Sequence, residues 1–176
     1  MGLKSQLDRR PMVVALAGPN GAGKSTFYEA SLTNTGLYFV NADVLALSLR
    51  MDPYAAASLA DAVRRQLVAR RESFIFETVF SDPVGEKLEF LKEWERAGYT
   101  VQVIFIGLSA PEISDERVAM RASRGGHDVP RKKLIERFPR TMKNLKRALV
   151  ELAKVEDGQG IELWEPTPEW LRVLLS

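Results

Sequence analysis

A glycine-rich loop near the N-terminus constrains this chain more than any other feature. Residues 18–26 read GPNGAGKST and fit the phosphate-binding pattern G-x-x-x-x-G-K-[ST] at every fixed position. The apolar run Met12–Ala17 precedes the loop with the length of a strand, and the segment from Ser25 to Leu32 follows it as the start of a helix. A strand, a glycine loop and a helix N-terminus in this order form a cradle for phosphate. The sequence therefore predicts a site for a nucleoside triphosphate.

The residues of the loop have separate tasks in that cradle. The glycines allow successive backbone N–H groups to point at phosphate oxygens. Lys24 is expected to reach the β- and γ-phosphates, and the Ser25 hydroxyl is expected to coordinate Mg²⁺. The predicted nucleotide site comprises Gly18, Pro19, Asn20, Gly21, Ala22, Gly23, Lys24, Ser25 and Thr26.

Composition agrees with one domain of ordinary solubility. A chain of 176 residues with 45% hydrophobic content is sufficient for a single α/β domain. No apolar run is long enough for a transmembrane helix, and the polar segment 1–10 lacks the apolar centre of a signal peptide. The absence of cysteine excludes disulfides and thiolate metal sites. We therefore expect a cytoplasmic protein with no membrane partner, and a net charge of +2 gives no argument for nucleic acid.

Strand-like and helix-like segments alternate along the chain. Four short apolar segments follow the first strand, at 37–40, 73–76, 101–106 and 161–164, and amphipathic helical segments separate them. This alternation predicts a three-layer α/β/α fold with a mainly parallel sheet of about five strands, as one P-loop domain over residues 1–176. Ligands of such sheets bind at the carboxyl ends of the strands.

Proline and capping residues predict finer boundaries. Ser81-Asp82-Pro83 has the pattern of a helix start, with an N-cap followed by a proline in the first turn. Pro130 is expected to begin a later helix, and Pro139 is expected to interrupt it, because proline cannot donate a backbone hydrogen bond.

Acidic residues follow two of the predicted strands, where a substrate would lie. Asp43 is placed to accept the proton of an acceptor hydroxyl or to hold the water shell of a metal. The alternative is that Asp43 caps the helix that follows. Glu77 is placed to hold Mg²⁺ through water or to bind substrate hydroxyls, with Thr78 as its neighbour. The alternative for Glu77 is a solvated residue that leaves the sheet.

Basic residues are concentrated in the second half of the chain. Arg117, Arg121 and Arg124 share one helix face through their i, i+4, i+7 spacing, just before the sequence GGHDVP. We expect a mobile helical lid over about residues 117–140, in which Arg121 and Arg124 bind the transferring phosphate. The ordinary explanation for the other basic residues is a solvated face with glutamate partners.

His127 is the single histidine of the chain. No cysteine or second histidine accompanies it, so a metal site is not expected there. We expect His127 to contact substrate or phosphate from the lid, or else to cap a helix or lie at the surface.

These motifs together resemble the zeta-toxin-like P-loop kinases, and within them a compact branch of predicted small-molecule kinases and ATPases. The likeness runs from about residue 12 to residue 147. It includes the glycine loop, Asn41-Ala42-Asp43 and Glu77-Thr78. Its most specific part is the lid segment Gly125-Gly126-His127-x-Val129-Pro130 together with Arg137 and Asn144.

The resemblance implies a function. It implies Mg²⁺-dependent transfer of phosphate from ATP to a hydroxyl of a sugar nucleotide, with UDP-N-acetylglucosamine as the best-known acceptor of the family. By position, Asp43 would be the catalytic base, Glu77 the acid that contacts the substrate, and Arg121 the lid arginine on the ATP phosphates. The larger toxins carry a second lid arginine near the position of His127, and Arg124 or Arg131 would replace it here. A separate antitoxin protein is the partner that the resemblance implies.

Other functions share parts of this pattern. A kinase for a nucleotide, a hydroxy acid or an antibiotic would use the same loop, base and lid. A regulatory or transport-associated ATPase shares the loop sequence, but no Leu-Ser-Gly-Gly-Gln-like signature and no apolar strand ending in Asp-Glu occurs. A nucleic-acid end kinase would use the basic helices, yet the basic stretch offers no aromatic platform. We therefore expect an ATP-dependent phosphotransferase.

Overall fold

The computed structural model describes residues 11–123 and 129–152, in which one or two helices follow each strand. The strands are β1 (Met12–Ala17), β2 (Tyr38–Val40), β3 (Phe74–Thr78) and β4 (Thr100–Phe105). The helices are α1 (Lys24–Phe27), α2 (Ala42–Leu49), α3 (Pro53–Ala69), α4 (Glu86–Arg96), α5 (Pro111–Ser123) and α6 (Arg131–Glu151). A π-helical turn over Tyr28–Leu32 and a 3₁₀ turn over Thr33–Thr35 continue α1.

The four strands form one parallel sheet with the order β2-β3-β1-β4. The central strand β1 pairs with β3 on one side and β4 on the other, and all six of its residues are buried. A strand buried on both faces needs a continuous apolar sequence, which is what Met12–Ala17 supplies. The predicted parallel α/β fold is confirmed. The sheet has four strands in the described residues, and the predicted strand at 161–164 lies outside them.

The residues of β1 face two separate cores in alternation. Val13, Ala15 and Ala17 belong to the larger core, which Trp94 of α4 enters. The Trp94 ring meets the rings of Phe74 and Phe76 edge-on, with centroid distances of 5.6 and 5.8 Å. The other face carries Met12, Val14 and Leu16, packed with Leu32 and Ile75. The period of two along a strand explains this division, and it covers both faces of the sheet.

Helix α4 begins later than its sequence predicts. Gly85, at φ 81°, precedes the first residue Glu86, and Ser81-Asp82-Pro83 remains in the connection from β3. Asp82 still acts as a local acceptor, because its carboxylate receives a hydrogen bond from the backbone N–H of Glu86. The predicted start was therefore wrong by about one helical turn.

Helix α6 runs without interruption through Pro139, contrary to the expectation from the sequence. Its buried residues lie on both sides of the proline, from Leu134 to Ala148, so packing holds the two halves in one helix. Near the proline, Arg140 Nε donates to the carbonyl of Glu136 at 3.1 Å. A side chain thus binds a backbone acceptor in the turn that proline weakens.

Two polar residues of α6 hold the segment that follows β3. Thr141 Oγ1 donates to the carbonyl of Val79 at 2.9 Å. Asn144 Nδ2 donates to the carbonyls of Phe80 and Asp82, at 3.0 and 2.9 Å, and is buried. Phe80 has φ 60°, a conformation that costs energy for a bulky residue and requires such support. Helix α6 therefore fixes the chain just after Glu77 and Thr78.

No helix within residues 11–123 and 129–152 combines the length and the apolar character that crossing a membrane requires.

We expect Asn144→Ala to lower the free energy of unfolding by about 2 kcal/mol, because two buried carbonyls lose their donor. Urea unfolding of the purified variant would measure the loss. Lys143→Ala removes an exposed neighbour on the same helix and is the matched control. Equal stability of the two variants would contradict the role assigned to Asn144.

Candidate active site

The glycine loop lies at the carboxyl end of β1 and needs glycine for a steric reason. Gly18 has φ 147°, and a Cβ atom there would lie 2.2 Å from the carbonyl oxygen of Ile106. Ile106 in turn donates its backbone N–H to Ala17 at 2.9 Å, so the two chains are close at this point. Gly23, at φ 92°, precedes the first residue of α1. The backbone thus turns from strand to helix as the cradle requires.

Lys24 lies across the loop with its ammonium group buried. Its Nζ donates to the carbonyls of Gly18 and Pro19, at 2.9 and 3.0 Å, and lies 3.6 Å from Glu77 Oε1. Burial lowers the pKa of Lys24 below its usual range, although the charges of Glu77 and Asp43 act in the opposite direction. This ammonium group is therefore poorly solvated and is placed to bind anionic oxygens.

Glu77 is the acceptor at which three side chains converge. Ser25 Oγ and Asn41 Nδ2 donate to Glu77 Oε2, at 3.1 and 2.8 Å, while Lys24 faces Oε1. The Glu77 side chain is 15% exposed, so the alternative of a solvated residue leaving the sheet is wrong. The Ser25 hydroxyl and the Glu77 carboxylate are hard oxygen donors side by side, which is the donor set that Mg²⁺ prefers. These two residues therefore fit a magnesium ion.

Asn41, not Asp43, caps helix α2. Its Oδ1 accepts from the backbone N–H groups of Asp43 and Val44, at 2.8 and 3.2 Å. The capping alternative for Asp43 is therefore wrong, and the Asp43 carboxylate is exposed in the first turn of the helix. Asp43 nevertheless lines the same cleft as Glu77, and its charge acts to raise the pKa of Lys24.

Helix α5 packs directly on the glycine loop. Ser114 Oγ donates to the carbonyl of Asn20 at 2.7 Å. A Cβ atom on Gly21 would meet the Ser114 carbonyl oxygen and the Arg117 Cβ atom, each at 3.1 Å. Arg121 follows one turn later, and its charge contributes to the lowered pKa of Lys24. Helix α5, which carries the start of the predicted lid at Arg117, is thus in contact with the glycine loop.

The remaining lid residues are placed differently. Arg124 and His127 lie outside the described residues, so their predicted roles rest on sequence alone. Arg131 is 72% exposed and its Nε lies 3.0 Å from Asp115 Oδ2. This surface ion pair connects α6 to α5.

A cleft of about 200 Å³ opens beside Glu77. It brings together the three predicted substrate residues in the described chain, Asp43, Glu77 and Thr78. Other lining residues come from the start of α2, from α3, from Val79 and from α4, namely Asn41, Ala42, Ala57, Ala60, Asp61, Arg64, Val79 and Lys87. A candidate acceptor site therefore adjoins the candidate nucleotide site.

Three charged residues of α3 and α4, which we call the far wall, also line this cleft, and sequence reasoning missed them. Asp61 contacts the guanidinium of Arg64 and accepts from Lys87 Nζ at 2.9 Å. Burial acts to raise the pKa of Asp61, but the hydrogen bond from Lys87 and the charge of Arg64 outweigh it, so the pKa is lowered. The carboxylate is therefore held in its ionised form.

A sequence signal for Arg64 exists in the pattern of α3. Its most buried stripe is Ala56, Ala60 and Arg64, at a spacing of four residues. An arginine in line with two small buried residues indicates a cation directed into the structure. The apolar positions that predicted the buried face of this helix, Leu59, Val63 and Leu67, are only partly buried.

Comparison with known proteins finds a family for this chain. The family model described as Zeta toxin matches residues 52–166. This match begins downstream of the glycine loop and of Asp43, so loop and family match are independent observations. A comparison with curated proteins finds no match.

Several solved structures share the fold at low sequence identity. The AvrRxo1-ORF1:AvrRxo1-ORF2 structure with ATP has a TM-score of 0.68 and 19% identity, over 85% of this chain and 52% of that one. The PezAT chromosomal toxin-antitoxin system of Streptococcus pneumoniae has a TM-score of 0.59 and 18% identity, over 85% and 67%. The Pnkp1/Rnl/Hen1 RNA repair complex has a TM-score of 0.61 and 20% identity, over 79% and 46%. The chain thus spans about half the length of two of these proteins and two thirds of the third.

The buried Lys24 predicts a pH dependence of stability. Because its pKa is lower in the folded chain than the ordinary 10.5, the unfolded chain binds more protons between the two values. We therefore expect the free energy of unfolding to rise with pH in that window, by at most about 1.4 kcal/mol per pH unit, relative to Lys24→Met. Urea unfolding at several alkaline pH values would measure it. If the free energy of unfolding of wild type and of Lys24→Met changed with pH in parallel, the prediction would be contradicted. Lys143→Met, which replaces an exposed lysine, is the control.

Proposed function

The chain belongs to the zeta toxin family, and we propose that it is a P-loop kinase that transfers the γ-phosphate of ATP to a hydroxyl of a small acceptor. A sugar nucleotide such as UDP-N-acetylglucosamine is the first candidate, through the resemblance of its motifs to that family. The observation that carries the proposal is the cleft in which Asp43, Glu77 and Thr78 line one space beside the buried Lys24.

Asp43 is the proposed catalytic base. Its carboxylate accepts the proton of the acceptor hydroxyl while the hydroxyl oxygen bonds to the γ-phosphorus and ADP leaves. The exposure of Asp43 and its position in the cleft leave it accessible to an acceptor. Glu77 and Thr78 bind the acceptor from the end of β3, where helix α6 holds the following segment in place.

Lys24 exchanges partners when the nucleotide binds. In the structure, Lys24 Nζ donates to the carbonyls of Gly18 and Pro19. In the proposed complex, phosphate oxygens replace these two carbonyls as acceptors. Ser25 and Glu77 would hold Mg²⁺, which neutralises phosphate charge when bound. The loop from Gly18 to Thr26 would provide the remaining contacts to the phosphates through its backbone.

Arg121 is the proposed lid arginine, within a single domain whose lid spans about residues 117–140. It lies two turns after Ser114, which binds the glycine loop, and its charge acts on Lys24. A guanidinium there stabilises the negative charge that spreads over the transferring phosphoryl group. Arg124 and His127 would complete the lid on the phosphate and acceptor sides.

Two of the structural neighbours support the proposed donor and a proposed partner. One structure of the AvrRxo1 pair is described as containing ATP, which supports ATP as the donor here. PezAT is described as a toxin-antitoxin system, which supports an antitoxin protein as a partner of this chain.

Asp43→Asn should retain ATP binding but lose at least about two orders of magnitude in kcat for transfer to the acceptor, because the amide cannot take the proton. Isothermal titration with ATP and a product assay by mass spectrometry would separate the two effects. Asn34→Asp, at an exposed surface position, is the control. Preserved turnover with weakened ATP affinity would assign Asp43 to metal or nucleotide binding instead.

Arg121→Ala should lower kcat by about 10³-fold while changing the free energy of unfolding by less than about 0.5 kcal/mol, since the side chain is exposed. Arg65→Ala, an exposed arginine on α3, is the matched control for both measurements. Normal turnover in Arg121→Ala would remove this residue from the phosphate site.

An acceptor screen tests the proposed function as a whole. Labelled ATP and Mg²⁺ would be incubated with UDP-sugars, nucleotides, small hydroxy acids and RNA ends, with Lys24→Ala as the inactive control. Transfer to UDP-N-acetylglucosamine would support the sugar-nucleotide assignment. Transfer to another acceptor would keep the kinase and replace its substrate, and label found only in free phosphate would contradict the kinase.

A further inference from the structure

We infer that the far wall of the cleft is an anion subsite, formed by Arg64 and Lys87, and that the acceptor carries a carboxylate or a phosphate group besides its reacting hydroxyl. The inference deepens the proposed function and rests on it, since the cleft is taken as the acceptor site. It is carried by the charge, the burial and the spare hydrogen-bond donors of these two residues.

The charges on the far wall do not balance among the described residues. Arg64 and Lys87 are 7% and 18% exposed, and both are paired with the single carboxylate of Asp61, which is 26% exposed. A buried cation is costly unless an anion accompanies it. These three residues therefore carry one net positive charge, at a distance in sequence from the acidic Asp43 and Glu77 that also line the cleft, and a bound anion would compensate it.

The two cations are held in place by aromatic rings. The guanidinium carbon of Arg64 lies 5.0 Å from the centroid of the Phe76 ring, and Lys87 Nζ lies 5.4 Å from that of Phe90. Such cation–π contacts fix the positions of the charged groups. They do not use up the N–H donors, which stay available for a ligand. The side chains are therefore ordered before any acceptor binds.

Both side chains keep donors for a ligand. A guanidinium carries five N–H donors and an ammonium carries three, and within residues 11–123 and 129–152 both side chains donate to Asp61 Oδ1. Carboxylates and phosphates accept two parallel hydrogen bonds from arginine, and lysine adds a point charge. The chemistry that fits this wall is therefore a carboxylate or phosphate group.

The opposite wall determines how such an acceptor would lie. Asp43 and Glu77 are both acidic and line the cleft on the side of the nucleotide loop. The Glu77 carboxylate already has partners, whereas the exposed Asp43 repels the anionic end of an acceptor and leaves it to the far wall, so that the acceptor hydroxyl faces Asp43. The charges in the cleft therefore select an anionic acceptor and also fix the direction in which it binds.

The size of the cleft limits the acceptor further. Its volume of about 200 Å³ is below the range of about 300–1,000 Å³ that is usual for drug-sized ligands. A sugar acid or a sugar phosphate fits this space. A sugar nucleotide would place its phosphates against Arg64 and Lys87 and leave its base outside.

Binding of a simple anion tests the subsite without assuming an acceptor. The full chain would be saturated with Mg²⁺ and a non-hydrolysable ATP analogue, which fills the glycine loop, and then titrated calorimetrically with inorganic phosphate and with gluconate. We expect Lys87→Gln to weaken the binding of both anions about tenfold, and Lys143→Gln, which removes an exposed lysine, to leave it unchanged. Absence of binding, or equal binding to Lys87→Gln and wild type, would overturn the inference.

Asp61→Asn separates a binding role from a structural ion cluster. Removing the competing carboxylate should tighten anion binding several-fold, because Arg64 and Lys87 then have no internal partner. A cluster that only stabilises the fold would lose stability in this variant without gaining affinity, and that result would also overturn the inference. Lys87→Gln is preferred to Arg64→Gln because Arg64 is buried in the core side of α3.

Turnover distinguishes failure of the subsite from failure of the proposed kinase. The specificity constant kcat/KM would be compared for glucose, gluconate and glucose 6-phosphate in wild type and Lys87→Gln. Transfer with equal kcat/KM for neutral and anionic acceptors would overturn the subsite and keep the kinase. Anion binding that depends on Lys87, with no transfer to any acceptor, would support the subsite and contradict the kinase.

Discussion

The carboxylate of Glu77 joins the ends of three segments that are far apart in the sequence. Glu77 belongs to β3, accepts hydrogen bonds from Asn41, which follows β2, and from Ser25 at the start of α1, and faces Lys24 of the same helix. The parallel register places Glu77 beside Leu16, one residue before the end of β1, so its side chain reaches the loop. A slip of one residue would turn this side chain to the other face of the sheet. The site therefore depends on the strand register and on one buried acid.

Local patterns were sufficient to predict the fold and the backbone geometry of the glycine loop. The glycine loop is read from consecutive residues, and its steric reason, the close approach of Gly18 to Ile106, agrees with the pattern. The parallel sheet follows from alternating apolar and amphipathic segments, and the carboxyl ends of its strands brought Glu77 near Lys24 as expected. In these cases the residues that form the structural element are consecutive, so a short stretch of sequence is enough to predict it.

Features that depend on packing between distant elements could not be predicted in this way. The far wall of the cleft joins Asp61 and Arg64 of α3 to Lys87 of α4, and no local pattern relates residues 26 positions apart. Asn41 was passed over as the helix cap because Asp43 is an equally good capping residue by type. Helix α6 passes through Pro139 because its buried face packs on both sides, which outweighs the loss of one hydrogen bond.

The attachment of α5 to the glycine loop has a mechanical consequence. The hydrogen bond from Ser114 to Asn20 fixes this point of α5 on the glycine loop. Arg121 lies seven residues beyond this point, which is about 10 Å along the helix, so a tilt of about 20° carries it through roughly 4 Å. The helix is thus a lever whose fulcrum is the loop itself. In the proposed kinase, a small reorientation at Ser114 would therefore move the Arg121 guanidinium by about the length of a hydrogen bond, toward or away from the proposed phosphate site.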